Sequence, residues 1–409
     1  MILLFKTFTS YLICLFLIGL FPFSSFANQD QLEAKIKQEI QNGCVFLQDE
    51  NEKTLLSVNP DQVFIPASII KVLTSQAALD LLGENYRFKT EFYQDNNENI
   101  MIKGYGDPYL ISEEIHLIAL EFKKLGITEI NRLYLDSSSF EGPMDIHGTN
   151  GTLNPYDAIN GALVVNFNTL NLYKDKFGEI ISGEEATPLT PLATEKGLVL
   201  KPGTKDRLNL TDNPAESLRY VGELFAEIFI LNGIKIQNPN ALELKVGPKW
   251  EKILTYENSH ELKVMLTGLL KYSNNFIANQ LYLTLGAQKK GYPATLGKSK
   301  SVFNDYSNQL IKPSPVSFQL EEASGISRKD RANCSLMMKV LNIFKNNKQL
   351  LDHKKGVYLK SGTLDGVYNY AGYINSQKGL RSFVIILNQP SNRRDRILNY
   401  LIKYSQKYP

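Results

Sequence analysis

Cysteine and histidine are scarce in the sequence, which argues against a disulfide-rich scaffold and against a metal site. Three cysteines occur among 409 residues, too few for a disulfide framework. Cys14 lies in an N-terminal apolar run, and for Cys44 and Cys334 we expect two buried thiols, with a single bridge between them as the alternative. The four histidines stand singly, without the spacing of metal ligands. The sequence therefore predicts no metal and no cofactor.

A strong bias of charge and a second long apolar run are also missing. The formal net charge is only +3, without the basic excess of a nucleic-acid-binding protein, so we expect no nucleic-acid partner. Beyond the N-terminus, no stretch reaches the roughly 18 apolar residues of a membrane span. We expect at most peripheral contact with a membrane.

Residues 1–27 have the pattern of a secretory signal peptide. A single charge, Lys6, precedes the apolar run, and the small residues Ser25 and Ala27 fit a cleavage site after Ala27. The alternative is an uncleaved anchor helix. The sequence thus predicts an exported, periplasmic protein whose mature chain begins at Asn28.

A helix predicted just after Pro66 carries a candidate nucleophile. Pro66 suits a first helical turn, and apolar residues follow around the helix. Residues three apart share a face, so Lys71 is expected above Ser68, whose hydroxyl lies near the unpaired N–H groups of the helix start. The alternative is an ordinary buried helix with a lysine that reaches to solvent.

Two further short motifs follow in the chain. Ser273-Asn274-Asn275 lies within a predicted helix, and Lys360-Ser361-Gly362-Thr363 lies on a predicted strand. Ser-x-x-Lys, Ser-x-Asn and Lys-[Ser/Thr]-Gly in this order match the motif set of penicillin-binding proteins and serine β-lactamases. Taken separately, the later two could be an exposed helix surface and a plain strand, but the three together are far more specific than any one.

The chemistry of a serine acyl transferase explains the first two motifs. Ser68 would attack a carbonyl, but a hydroxyl needs a base to take its proton. Lys71 can be that base if burial and the nearby cation Lys360 keep part of it neutral. Ser273 would pass the proton to the leaving amine, and Asn275 would hold Lys71 and the substrate backbone.

The third motif suits the binding of a carboxylate. Lys360 offers a cation, Ser361 and Thr363 offer hydroxyls, and Gly362 keeps the face of the strand open. The main-chain N–H groups of Ser68 and Thr363 would form the oxyanion hole.

With these motifs the sequence resembles the class C low-molecular-mass penicillin-binding proteins, the D-alanyl-D-alanine carboxypeptidase/endopeptidase family. Gly104-Tyr105-Gly106-Asp107-Pro108 is similar to a Gly-x-Gly-Asp-Pro turn of that family, and residues 322–328 are similar to its Asp-Gly-Ser-Gly-Leu-Ser-Arg segment, with Glu322-Ala323 in place of Asp-Gly. Ser361 replaces a commoner threonine. The resemblance suggests that Arg328, and more loosely Asp157, contact the substrate's diaminopimelate side chain, with a structural salt bridge as the alternative role of Arg328.

The resemblance implies a mixed α/β fold, with a central antiparallel sheet flanked by helices and interrupted by a large, mainly β insertion. The expected catalytic domain is 28–86 with 255–409, and the insertion is 87–254, with a nested subdomain at about 178–246. The chain pattern agrees, since a hairpin near Cys44 and a meander from Val357 to Leu387 would share one sheet, with helices predicted at 29–42, 113–125, 215–231, 259–285, 333–346 and 393–404.

The resemblance implies a serine D-Ala-D-Ala carboxypeptidase or endopeptidase that acts on peptidoglycan stem peptides through an acyl-enzyme on Ser68. Its partners would be peptidoglycan peptides, with β-lactam antibiotics as covalent inhibitors. One alternative is a β-lactamase-like hydrolase, although the sequence offers no motif for the base that would activate its deacylating water. Another is a non-catalytic cell-wall binding protein.

Overall fold

The computed structural model describes residues 23–142, 144, 146–311 and 318–407. Residues 1–22 of the predicted signal peptide lie outside the described residues, and Phe23–Ala27 form the start of the helix Phe23–Glu39. Within these described ranges, no helix combines the length and the apolar character needed to cross a membrane.

The described elements alternate between helices and short strands. The strands are β1 (Gly43–Gln48), β2 (Thr54–Val58), β3 (Lys89–Gln94), β4 (Ile100–Gly104), β5 (Glu129–Asp136), β6 (Thr169–Lys174), β7 (Ile180–Ser182), β8 (Thr204–Asn209), β9 (Lys235–Glu243), β10 (Glu251–Glu257), β11 (Asp352–Lys354), β12 (Val357–Leu364), β13 (Val367–Ser376) and β14 (Gly379–Asn388). The α-helices are Phe23–Glu39, Lys71–Leu82, Ser112–Lys124, Pro191–Gly197, Pro214–Leu231, Leu262–Tyr272, Asn275–Lys290, Leu296–Ile311, Cys334–Phe344 and Arg394–Lys407.

The chain divides into two compact units. One unit comprises residues 1–66 and 332–409, and the other comprises residues 67–331. The predicted domain boundaries, with a catalytic domain at 28–86 and 255–409, follow a different division and stay a prediction.

The unit formed by the two ends of the chain is built on a six-stranded antiparallel sheet. Its order is β11-β12-β13-β14-β1-β2, so the N-terminal hairpin pairs with the last strand of the C-terminal meander. Val45 and Leu47 on one face pack with Ile397 and Leu401 of the C-terminal helix. The predicted hairpin, meander and shared sheet are confirmed.

Cys44 and Cys334 form a disulfide, so the expectation of two buried thiols is wrong. Successive side chains of a strand point to opposite faces. Cys44 therefore points away from the face that Val45 and Leu47 share with the C-terminal helix, and the helix Cys334–Phe344 packs against β1. This packing brings two residues that are 290 positions apart to a Cα–Cα distance of 6.1 Å, within bonding range.

The unit of residues 67–331 contains two further sheets. A five-stranded sheet has the order β10-β3-β4-β5-β9, in which β4–β5 and β5–β9 are parallel pairs. Its core includes Phe92, which meets Phe122 and Phe225 from the helices Ser112–Lys124 and Pro214–Leu231. The second sheet is three-stranded, in the order β7-β6-β8. The predicted insertion therefore carries long helices as well as strands.

One predicted helix is interrupted where the site lies. The sequence favours continuous helix from 259 to 285, but the structure has two helices, Leu262–Tyr272 and Asn275–Lys290. Ser273 takes a left-handed backbone conformation with φ of 55°, and Asn274 caps the second helix by accepting a hydrogen bond from the Ile277 N–H. The apolar residues on both sides continue the helical pattern, so periodicity alone does not reveal the break.

Candidate active site

Ser68 lies in a tight 3-10 turn that runs directly into a buried helix. The turn spans Ala67–Ile70, and the α-helix Lys71–Leu82 continues it. Ala67 has a φ of 45°, an uncommon conformation for a residue with a side chain, of the kind that clusters at functional sites. The predicted α-helical turn at Ser68 is thus a 3-10 turn, and Lys71 begins the α-helix.

Lys71 is fully buried, and its amine contacts oxygen atoms of Ser68, Asn275 and Ser324. Its Nζ lies 2.9 Å from Ser68 Oγ, 2.7 Å from Asn275 Oδ1 and 2.6 Å from the main-chain oxygen of Ser324. The structure therefore brings together Ser68, Lys71 and Asn275 as their motifs predict.

The break between two helices supplies Ser273 and Asn275. Asn275 is the first residue of the helix Asn275–Lys290, and its Nδ2 donates to the Tyr156 main-chain oxygen over 3.4 Å. Ser273 lies two residues earlier, at the left-handed position. The break, rather than a helix surface, presents the Asn275 side chain to Lys71.

The segment Glu322–Gly325 belongs to the site, although the motifs do not point to it as a contact of Lys71. The Ser324 oxygen accepts from Lys71 and, over 3.3 Å, from Ser68 Oγ, and the Ala323 oxygen accepts from Thr74 Oγ1 over 2.8 Å. Gly325 has a φ of 80°, and a Cβ there would collide with the Ala67 carbonyl. The contact is made by main-chain oxygens, so only the similarity of residues 322–328 to a family segment could have indicated it.

Lys360, Ser361, Gly362 and Thr363 lie on β12 of the unit formed by the two ends of the chain. Lys360 is buried, and its Nζ donates to the Ser361 main-chain oxygen over 2.9 Å. Burial lowers the pKa of Lys360 to about 8, and the charge of Asp352 opposes this shift. Lys360 therefore changes charge close to neutral pH.

Arg394, which the motifs do not indicate, contacts the end of this strand. Its Nη1 donates to Thr363 Oγ1 over 2.7 Å and to the Gly362 oxygen over 3.2 Å. Its guanidinium lies 4.5 Å from the centre of the Tyr370 ring. Since Thr363 Oγ1 accepts from Arg394, the hydroxyl hydrogen of Thr363 is left for another acceptor.

A cavity of about 660 Å³ opens beside the Ser273–Asn275 break. Aromatic side chains dominate its lining, namely Tyr109, Tyr156, Phe167, Tyr272 and Phe276. One polar residue of the lining, Arg207, is paired with Glu184. This cavity can receive an apolar group next to Asn275.

Asp107 of the Gly-Tyr-Gly-Asp-Pro turn is a structural residue that fixes Tyr109. One carboxylate oxygen accepts from the Tyr109 N–H and the other from Asn258 Nδ2, both over 2.8 Å. Burial raises the pKa of Asp107 to about 7. The turn therefore holds an aromatic residue of the cavity in place.

The two residues suggested for a diaminopimelate side chain lie in different surroundings. The buried carboxylate of Asp157 accepts from the N–H groups of Asn150 and Thr152 and from Thr152 Oγ1, so it holds its own loop. Arg328 is exposed, and its main-chain oxygen accepts from Arg331. Its predicted role in substrate binding stays a prediction.

Comparison with known proteins agrees with this arrangement. A sequence profile of the D-Ala-D-Ala carboxypeptidase 3 (S13) family matches residues 28–196 and 202–356. The chain belongs to this family. The matched ranges include Ser68, Lys71, Ser273 and Asn275, and they end before Lys360.

Relatives of the S13 chain extend over most of its length. A D-alanyl-D-alanine carboxypeptidase from an Actinomadura species is 21% identical over 425 residues, which cover 85% of this chain and 77% of the relative. The D-alanyl-D-alanine carboxypeptidase DacB of Haemophilus influenzae is 21% identical over 438 residues, covering 90% of each chain.

Solved structures share the fold of this S13 chain. Penicillin-binding protein 4 of Haemophilus influenzae superposes with a TM-score of 0.70 at 19% identity, covering 92% of this chain and 100% of the other. A predatory endopeptidase of Bdellovibrio bacteriovorus, solved with its immunity protein, gives a TM-score of 0.58 at 18% identity and covers 89% and 93% of the two chains. The predicted family, the enzyme class of serine-type D-Ala-D-Ala carboxypeptidases and the mixed α/β fold are confirmed.

Proposed function

We propose that this S13 enzyme cleaves D-alanyl peptide bonds of peptidoglycan stem peptides through an ester on Ser68. The observation that carries the proposal is the position of Lys71 Nζ, 2.9 Å from Ser68 Oγ inside a buried turn. Ser68 Oγ attacks the carbonyl carbon before the terminal D-alanine, the C–N bond breaks, and the D-alanine leaves as an amine. Water then hydrolyses the ester and restores Ser68.

The contacts of Lys71 suit the role of general base. A neutral amine has two hydrogens and one lone pair. If the hydrogens of Lys71 go to Asn275 Oδ1 and the Ser324 oxygen, the lone pair faces Ser68 Oγ and can accept its proton. Complete burial favours this neutral form because it removes the charged amine from water.

Ser273 and Asn275 serve the leaving group and the substrate backbone. Ser273, at the start of the break, passes the proton from Lys71 to the departing nitrogen. Asn275 keeps Lys71 in place through Oδ1 and presents Nδ2 on the side of Tyr156. The aromatic cavity beside Asn275 offers an apolar surface to the stem peptide.

The β12 strand recognises the substrate's terminal carboxylate. Lys360 contributes a cation, and Ser361 and Thr363 contribute hydroxyl donors. Arg394 supports Thr363 by donating to its Oγ1, which directs the hydroxyl hydrogen outward. Gly362 leaves the strand face open, and the N–H groups of Ser68 and Thr363 form the oxyanion hole. Arg328 contacts the diaminopimelate side chain of the stem peptide.

The same groups would bind a β-lactam, which carries a carboxylate next to a reactive amide. We propose that β-lactams acylate Ser68.

We also propose that the protein is exported to the periplasm, with cleavage of the signal peptide after Ala27. Its natural substrates there are peptidoglycan peptides. No cofactor takes part in these steps, and contact with the membrane is at most peripheral. Sequencing the N-terminus of the exported protein tests the compartment, and finding Met1 would contradict it.

Labelling with a fluorescent penicillin tests the nucleophile. The wild type should become stably labelled, and Ser68→Ala should abolish labelling without loss of the fold, because the hydroxyl is the attacking atom. Ser299→Ala is the matched control, since Ser299 Oγ also donates to a main-chain oxygen but lies on the helix Leu296–Ile311. Covalent label on Ser68→Ala would reject the assignment.

Digestion of purified muropeptides tests the reaction. Release of D-alanine, identified by mass, defines a carboxypeptidase, and cleavage of D-alanyl-diaminopimelate cross-bridges defines an endopeptidase. Products of neither kind from a protein that is labelled by penicillin would reject the peptidoglycan substrate.

A further inference from the structure

Two buried carboxyl groups lie behind the loop that contacts Lys71. Glu322 and Asp330 are both fully buried. The Glu322 carboxylate accepts three hydrogen bonds, from the Ser324 N–H over 2.7 Å, the Ser327 N–H over 3.2 Å and Asn279 Nδ2 over 3.0 Å. Each partner is a donor, which is the surrounding that an ionised carboxylate requires.

The Glu322 carboxylate holds the loop on both sides of the Ser324 carbonyl, since it accepts from the Ser324 N–H before this carbonyl and from the Ser327 N–H after it. It holds the Ser324 N–H, and the carbonyl of the same residue accepts from Lys71 Nζ over 2.6 Å. The neighbouring N–H, that of Ala323, is held by Asn279 Oδ1 over 2.9 Å. The loop that carries the oxygen acceptor of Lys71 is therefore hydrogen-bonded to a buried acid on both sides of that oxygen.

One carboxyl oxygen of Asp330 lacks a hydrogen-bond donor among the described contacts. Its Oδ1 accepts from the Glu321 N–H over 2.8 Å, whereas its Oδ2 is buried without a hydrogen-bond partner. A buried, unsatisfied anionic oxygen is costly. A proton on Asp330, donated to Glu322, removes both that cost and the repulsion between the two groups.

We propose that Glu322 and Asp330 share one proton, and that this acid pair is a positioning device that holds the Ser324 carbonyl against Lys71. The role in catalysis rests on the proposed function. Consistent with the geometry, burial and, next, the charge of Glu322 together raise the pKa of Asp330 to about 9.

Other titratable groups lie near the pair. Glu321 is paired with Lys300, and Ser327 Oγ lies 2.9 Å from His147 Nδ1. Among the described contacts, Tyr282 of the helix Asn275–Lys290 interacts electrostatically with both carboxyl groups, Lys300 and Lys329 interact with the neighbouring Glu321, and Lys71 lies beyond Ser324.

The kinetic test compares Glu322→Gln, Asp330→Asn and the control Glu321→Gln by the rate of acylation with a fluorescent penicillin. Glu322→Gln should slow acylation roughly tenfold or more, since an amide cannot accept from all three donors. Asp330→Asn should stay close to wild type at neutral pH, because its N–H replaces the shared proton. Glu321→Gln should match wild type. A folded Glu322→Gln at the wild-type rate, or an Asp330→Asn as slow as Glu322→Gln, overturns the proposal.

The second experiment measures stability against pH and does not depend on enzyme activity. The native pKa of Asp330 lies above the value of 3.8 for a free side chain, so the native state keeps a proton that the unfolded state loses. This stabilisation is complete below pH 3.8 and is lost as the pH rises to about 9. Against Asp330→Asn, the melting temperature of the wild type should fall over this range. A constant difference overturns the shared proton, whereas a wild type that penicillin does not label would reject only the proposed function.

Discussion

The charge of the buried Lys360 should depend on pH within the range in which enzymes are commonly assayed. Lys360 has its pKa lowered to about 8 by burial, so the native protein loses this cation as the pH rises through about 8. If Lys360 binds the terminal carboxylate, the efficiency of acylation should fall over the same range.

A substitution that keeps the charge tests whether the loss of the Lys360 cation causes this decline. In Lys360→Arg the cation persists to much higher pH, so the decline near pH 8 should disappear while the rate itself is lower, because a guanidinium differs in shape from an ammonium. Lys360→Ala should be slow at every pH. Acylation rate against pH is the measurement, with the exposed Lys354→Arg of β11 as control. If the decline persists unchanged in Lys360→Arg, a group other than Lys360 causes it.

The lowered pKa of Lys360 should also change the free energy of unfolding with pH. Between about pH 8 and the model-peptide value of 10.5, the unfolded chain holds a proton that native Lys360 has lost. Unfolding then takes up a proton, so the free energy of unfolding should rise with pH in this window. Thermal melts of the wild type and Lys360→Met across the window measure the difference, and parallel curves would contradict the lowered pKa.

At the scale of one element, the cap of the helix Asn275–Lys290 connects stability with catalysis. Asn274 Oδ1 accepts from the Ile277 N–H over 3.0 Å, and Asn274→Ala should lower the free energy of unfolding by about 1 kcal/mol. Since Asn275 is the first residue of that helix, loosening its start should also slow acylation.

The chain contains a matched control for this cap. Asn213 caps the helix Pro214–Leu231 by accepting from the Ala215 N–H over 2.9 Å. Asn213→Ala should lose similar stability in a denaturant titration but acylate at the wild-type rate. Equal rates for the two variants would show that the cap does not position Asn275.

The elements that carry the site differ in how well the sequence predicts them. Ser68 and Lys71 are three residues apart, so local geometry alone predicts their contact, and the alternation of the meander predicts β12 with Lys360. The break at Ser273 is harder, because Leu269, Leu270 and the residues after Phe276 continue a helical pattern. The Ser324 carbonyl is harder still, since every residue has a carbonyl and only the fold decides which one faces Lys71.

At the scale of the molecule, the disulfide joins segments from the two ends of the chain. Neither cysteine carries a local signal for its partner, which explains the wrong expectation of free thiols. Cys44 and Cys334 are 290 residues apart, and a bridge across a long loop restricts the unfolded chain. Reduction should therefore lower the free energy of unfolding by about 2–4 kcal/mol.

Thermal melts with and without a reductant test this expectation. The double variant Cys44→Ala/Cys334→Ala should unfold at the temperature of the reduced wild type and should not respond to the reductant. Thiol titration of the native, oxidised protein should find neither of these two cysteines reactive. A melting temperature of the wild type that the reductant leaves unchanged would contradict a stabilising bridge.

The order of strands in the six-stranded sheet also determines when the molecule can finish folding. β1 pairs with β14, which is the last strand of that sheet in the chain. A chain that emerges from its N-terminus first must keep β1 without this partner until almost the whole sequence has appeared. Such distant pairing slows folding and leaves a strand edge open to association with other chains. The residues between Ala67 and Arg331 form their own sheets and cores. They can therefore become ordered before the last strands of the unit formed by the two termini have been synthesised.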